Sequence, residues 1–188
     1  MTLTNSKLYP GMNDSGLEFF TVESEVKIIQ NGKISAFTEL SFAIIQVLKE
    51  AISKDKELKM ALLDWHPNSE YNRLEQFAKC RFGGLDFTPD IKNNKLQKGE
   101  YKECPLRATC PNNGIVCKLP SFNGIELELN DIKLMKLLST DLTNENIAEQ
   151  MGVPFGSYHK IKKALYQKLG NVQTKQEIAI IATRLNLI

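Results

Sequence analysis

Histidine is scarce in this chain: His66 and His159 are the only two in 188 residues. A histidine-based active site therefore has few members to draw on. The P-loop, G-x-G-x-x-G, H-E-x-x-H and G-x-S-x-G patterns are also missing, and with them the phosphate cradles, zinc helices and nucleophile elbows they encode. On these grounds the chain is expected not to be an enzyme. Long apolar runs are lacking as well. Phe42-Ala43-Ile44-Ile45 and Ile178-Ala179-Ile180-Ile181-Ala182 fall far short of the ~18 residues a membrane helix needs. The opening MTLTNSKLYPGMNDSG has no basic region followed by an apolar core, so it does not read as a signal peptide. The expectation is a cytoplasmic protein without a membrane partner, in a compartment that keeps thiols reduced.

What is present is an ordinary globular composition, 42% hydrophobic and 24% charged, at a length that suits one domain or two small ones. The formal net charge of +2 announces no polyanion. Its distribution does. Residues 153–170 carry Lys160, Lys162, Lys163 and Lys168 with no acid, and residues 91–118 carry six cations against Glu100 and Glu103. Each island holds +4, leaving −6 for the rest of the chain. Basic islands in an acidic chain can each attract nucleic acid.

Along the chain, residues 1–16 are polar, contain Pro10, Gly11 and Gly16, and are expected to be poorly ordered. Val26–Gln30 and Lys33–Phe37 are β-prone and flank Asn31-Gly32, a hairpin signal because both turn positions need φ > 0. From Thr38 the period becomes helical, through Leu40, Ile44, Val47, Leu48, Ala51 and Ile52. A second helix is expected near Glu57–Trp65, and a third beyond Pro67, capped by Asn68 or Ser69. Residues 80–120 are rich in Gly, Pro, Asn and Lys without a sustained period. They bury little apolar surface, so another constraint must hold them.

The four cysteines supply a candidate. Cys80, Cys104, Cys110 and Cys117 form C-x23-C-x5-C-x6-C. Four thiolates can close a tetrahedron around Zn²⁺, and the metal then provides folding energy to a segment poor in core. Pro105 and Pro111 follow two of the thiols and stiffen the turns, while Lys79, Lys102 and Lys118 favour the thiolate form. Structural zinc is the first expectation. An iron–sulfur cluster is the alternative, since it uses the same ligands, and four unrelated reduced cysteines are the third reading. His66, between Trp65 and Pro67, reads as a helix-end residue ahead of a fifth ligand. Gly83-Gly84 reads as a turn.

Residues 127–188 carry four apolar stripes at helical spacing. Asn130 and Thr143 are expected caps, Gly152-Val153-Pro154 a turn, Gly170 a C′ glycine, and Thr174–Glu177 a capping box. The pair of helices at 143–151 and about 155–169 has the spacing of a helix-turn-helix. On the second, Tyr158, Ile161, Leu165 and Leu169 form the inner seam. Lys160, Lys163 and Gln167 project opposite, flanked by Ser157 and His159, and Lys162, at the edge of the seam, is expected to snorkel outward on its apolar stem and join them. Such side chains reach phosphates and base edges in a major groove.

Here the chain resembles the LuxR/GerE-type helix-turn-helix domain. The resemblance rests on Leu142-Thr143-Asn144, Ile147-Ala148-Glu149, Val153, Lys168-Leu169-Gly170 and Thr174-Lys175-Gln176-Glu177, and covers about a third of the chain. It departs from the family at Asp131, Ser157-Tyr158, Ile161 and Lys162. The resemblance implies a DNA-binding transcriptional regulator, and a last helix that forms a dimer interface or, through Leu185, Leu187 and Ile188, completes the domain core. The phosphoreceiver or pheromone-binding domains that usually precede this module leave no trace upstream.

The expected fold is mainly α. Residues 17–120 form a small α+β hairpin-helix domain, in which the four cysteines make 80–120 a metal-bound segment. Residues 121–188 form a four-helix LuxR-type module. Double-stranded DNA is the expected partner. RNA polymerase, or a second DNA contact through the 91–118 island, are the candidates for the upstream half. The competing classes are an iron–sulfur redox-sensing regulator and an adaptor whose helices bind protein and never touch DNA.

Overall fold

Residues 8–188 are described by a computed structural model, and they form an α+β fold. β1 (Leu17–Val22), β2 (Glu25–Gln30) and β3 (Lys33–Ala36) are antiparallel neighbours. They are followed by three helices, α1 (Phe42–Lys54), α2 (Lys56–Trp65) and α3 (Glu70–Arg81). Two short strands, β4 (Ile91–Lys92) and β5 (Lys95–Leu96), extend the sheet to five strands in the order β3-β2-β1-β4-β5. Beyond the cysteines come a small hairpin, β6 (Ser121–Phe122) and β7 (Ile125–Glu126), and then α4 (Leu129–Leu138), α5 (Asn144–Met151), α6 (Phe155–Lys168) and α7 (Lys175–Arg184). The chain divides into two units, Met1–Lys118 and Leu119–Ile188. Among the described residues, no helix is long and apolar enough to cross a membrane.

The expected hairpin is present, with Asn31 at φ 53° and Gly32 at φ 74°. It is only part of the sheet. β1, the central strand, precedes it and turns into β2 through Glu23 and Ser24, both at positive φ. Leu17, Phe19, Val26 and Ile28 meet Leu48, Leu62, Leu74, Phe77 and Phe82 in one apolar core. Glu18 and Phe20, on the other face of β1, are buried as well. That burial on both faces hides the period-2 alternation by which a strand is recognised.

The first helix starts later than its apolar period suggests. Phe37–Glu39 form a 3₁₀ turn, with Glu39 accepting from the Ala36 N–H at 3.2 Å, and Ser41 caps α1. Ser69, one of two expected caps, caps α3. Residues 8–16 depart from the expected loose tail. Gly11 and Gly16 are buried, Asp14 accepts from both of their N–H groups at 2.8 Å, and Tyr9 stacks on Phe87 at 4.8 Å. Residues 1–7 of that expectation lie outside the described residues.

In the second unit Thr143 caps α5, and Thr174 with Glu177 makes the expected reciprocal cap on α7. Asn130 is not a cap. α4 begins two residues earlier than that cap would set it, at Leu129, where the Glu128 N–H donates to Asp131 at 2.9 Å. The last helix resolves part of its open role. Leu187 is buried and Leu185 half-buried, whereas Ile180 and Ile188 are more than half exposed.

Candidate functional site

The turn between α5 and α6 is built by Gly152 at φ 70°, a left-handed C-cap that only glycine adopts without strain. The Val153 N–H returns to the Ala148 carbonyl at 3.1 Å, and α6 starts directly after Pro154. A clamp sets the pairing of the two helices. The buried Tyr158 hydroxyl donates to Asn144 Oδ1 at 2.7 Å, and Lys162 Nζ reaches the same oxygen at 3.4 Å. At the far end Lys168 pairs with Asp131 at 2.6 Å and so ties α6 to α4. Asp131 thus does two jobs: it finishes the start of α4 and holds the end of α6.

With Tyr158 and Leu165 buried, the opposite face of α6 carries Ser157, His159, Lys160, Lys163 and Gln167 exposed to solvent. Lys162 differs from them. It is half-buried, and its ammonium lies 5.4 Å from the Tyr166 ring centre. Burial holds its pKa below the usual lysine value. Lys162 therefore belongs to the clamp more than to the exposed row. His159, Lys163 and Gln167 border a shallow groove of about 380 Å³ that continues to Asn171 and Gln173. Replacing Tyr158 by Phe is expected to cost about 1 kcal/mol of stability, the worth of one neutral hydrogen bond. Thermal unfolding of the variant checks this.

The cysteines converge although 36 residues separate the first from the last. Cys80 sits in the last turn of α3, and Cys104, Cys110 and Cys117 lie on the turns of the following segment. All four line one cavity of about 570 Å³. The loop is tied to α3 by Arg81, whose Nε donates to the Val116 carbonyl at 2.8 Å and whose Nη2 donates to Ile115 at 2.5 Å. Within the loop, Cys110 N–H bonds the Leu106 carbonyl at 2.8 Å and Gly114 N–H bonds Cys117 at 3.0 Å. Gly83 closes the corner after α3. A Cβ there would collide with the Lys79 carbonyl and with Thr21 Oγ1, so glycine is required by packing and the corner is the expected turn.

Three of the six cations of this region turn inward. Arg107 is buried and donates to Asn113 Oδ1 at 2.9 Å and the Lys102 carbonyl at 2.8 Å. Lys102 donates to Thr21 Oγ1 at 2.7 Å, and Lys118 to the Gly114 carbonyl at 3.0 Å. Only Lys92, Lys95 and Lys98 of the basic island are exposed. Burial pushes the Cys80 thiol up, and the Gln76 amide, donating to its sulfur at 3.0 Å, works against that. Flanking lysines alone therefore do not set its ionisation. His66 ends α2, where its carbonyl accepts from Arg73 at 2.7 Å, and its side chain borders the same cavity.

A third constellation was not legible in the sequence. Glu18, Asp86 and Glu100 bring carboxylate oxygens within 4.8 Å of one another, the donor set of a hard cation. Asp90 joins them, accepting from the Phe19 N–H at 2.7 Å. Glu18 Oε1 accepts from the Asp86 N–H at 3.0 Å, and its Oε2 is buried without a hydrogen-bond partner. Burial pushes Glu18 up to about 9 and Glu100 up to about 8, and raises Asp90 well above the usual carboxylate range. An acid between apolar residues at the start of a β-strand, as Glu18 is, was the one available signal. Compared with known proteins, the chain matches no family model, no curated protein and no solved structure.

Proposed function

We propose that the protein is a sequence-specific DNA-binding transcriptional regulator whose second unit places α6 in the major groove. One observation carries the reading: α6 is paired to α5 through a glycine turn and presents an exposed, acid-free row of Lys160, Lys163 and Gln167. The family motif quoted from the sequence supports it, since its residues fall on the cap, the turn and the clamp. The lysines would neutralise phosphates, while Gln167, Ser157 and His159 could reach base edges. The cysteine segment would be a metal-held platform, because its few buried apolar side chains leave it dependent on another cross-link.

The test is anisotropy or mobility shift of the full chain on random duplexes over a salt series, followed by selection of bound sequences. The Lys160→Ala/Lys163→Ala double variant is expected to lose at least roughly tenfold in affinity at low salt. Its dependence of log K on log salt should be shallower by about 2, close to one per phosphate contact. An unchanged slope overturns the assigned face. No duplex binding at low salt leaves the adaptor reading in its place.

A further inference from the structure

We propose that the cysteine chamber holds a [4Fe–4S] cluster ligated by the Sγ atoms of Cys80, Cys104, Cys110 and Cys117. The assignment goes beyond the DNA-binding reading and is independent of it.

Geometry separates the two cofactors that four thiolates can bind. A tetrahedral zinc with Zn–S near 2.3 Å sets every pair of sulfurs about 3.8 Å apart. Those sulfurs touch, and no cavity remains between them. A cubane is a body of eight atoms, and it spaces its cysteinyl sulfurs by roughly 6 Å. Among the described residues, no three cysteine sulfurs lie within 4.8 Å of one another. All four nevertheless line the same cavity of about 570 Å³. The thiols are thus gathered around a space and not around a point.

The walls suit the charge. A cubane with four thiolates carries about −2 in its oxidised resting form. Lys79, Lys102 and Arg107 border the chamber, with Glu103 as the one acid in its lining. Arg107 also keeps its Nε buried without a hydrogen-bond partner, which is costly unless an acceptor is supplied. Cluster sulfides accept such N–H bonds. Pro105 and Pro111, each directly after a ligand, restrict the two turns that present Cys104 and Cys110.

The full chain, purified without oxygen and incubated with equal parts of ferric and ferrous iron, sulfide and a thiol, is expected to bind about four iron and four sulfide per chain. It should turn brown and give a spin-one-half resonance when dithionite supplies one electron. Cys104→Ser, at the exposed ligand, should lower cluster content at least severalfold while circular dichroism keeps its helical signal. One colourless zinc per chain with no iron uptake overturns the proposal, as does a two-iron cluster or no metal. Full loading of Cys104→Ser also overturns it. Loading is read on the chain alone, so failure here leaves the DNA measurements intact, and the converse holds.

Discussion

Replacing Phe19 by alanine is expected to remove about 3–5 kcal/mol from the stability of the first unit, the range for a large aromatic truncated in a core that cannot collapse. Phe19 is fully buried in the central strand. Its ring centre lies 6.0 Å from that of Phe37 and 6.3 Å from that of Phe82, so one truncation leaves two aromatic faces without a neighbour. A loss of this size is a large share of the roughly 5–15 kcal/mol typical of a domain. Trp65, the only tryptophan, lies in the same unit and reports its unfolding by fluorescence in a denaturant titration. Val22→Ala, at the half-exposed end of the same strand, is the control and should change stability by less than about 0.5 kcal/mol. Equal effects from the two substitutions would contradict the placement of the core.

The carboxylate cluster makes the second large prediction, and its sign is opposite to that of a salt-bridged acid. Glu18 and Glu100 hold their protons in the folded state up to about 9 and 8, against 4.5 for the free side chain. Between those limits the folded chain binds more protons than the unfolded one. Stability is therefore greatest below pH 4.5 as far as these groups are concerned, and it is lost as pH rises toward 8–9. Each group contributes a slope of roughly 1.4 kcal/mol per pH unit where it alone titrates. Melting temperatures measured with a chelator present should fall as the pH is raised from the acid side of this window to its alkaline end. Glu18→Gln, which keeps the shape and removes one charge, should flatten that fall and raise the melting temperature at alkaline pH. A flat wild-type profile, or a variant with the same slope, would refute protonated burial.

Local signals were legible where the interaction spans a few residues. Asn31-Gly32 marked a hairpin, Thr143 and Thr174 marked helix starts, Gly152 marked a turn and Gly170 a left-handed exit, because a turn or cap is satisfied by its own neighbours. Asn123-Gly124 marks the β6–β7 turn in the same way and was open to the same reading. The Glu23-Ser24 turn was not, since neither residue prefers positive φ. The exposed row on α6 followed from period alone, but the inward turn of Lys162 did not. It depends on Asn144, a residue of the preceding helix.

By itself the sequence determined the helices, the caps at Ser69, Thr143 and Thr174, the hairpin and the lysine row, since each is encoded within a turn or two of chain. Tertiary structure alone decided the rest. It gathered Cys80 with Cys117, Thr21 with Lys102 and Glu18 with Asp86, joined Arg81 to Val116, and turned Lys102, Arg107 and Lys118 of the 91–118 island inward. Those partners lie tens of residues apart. Only the packing of α3 against the central strands brings them within reach, and no spacing rule records that distance.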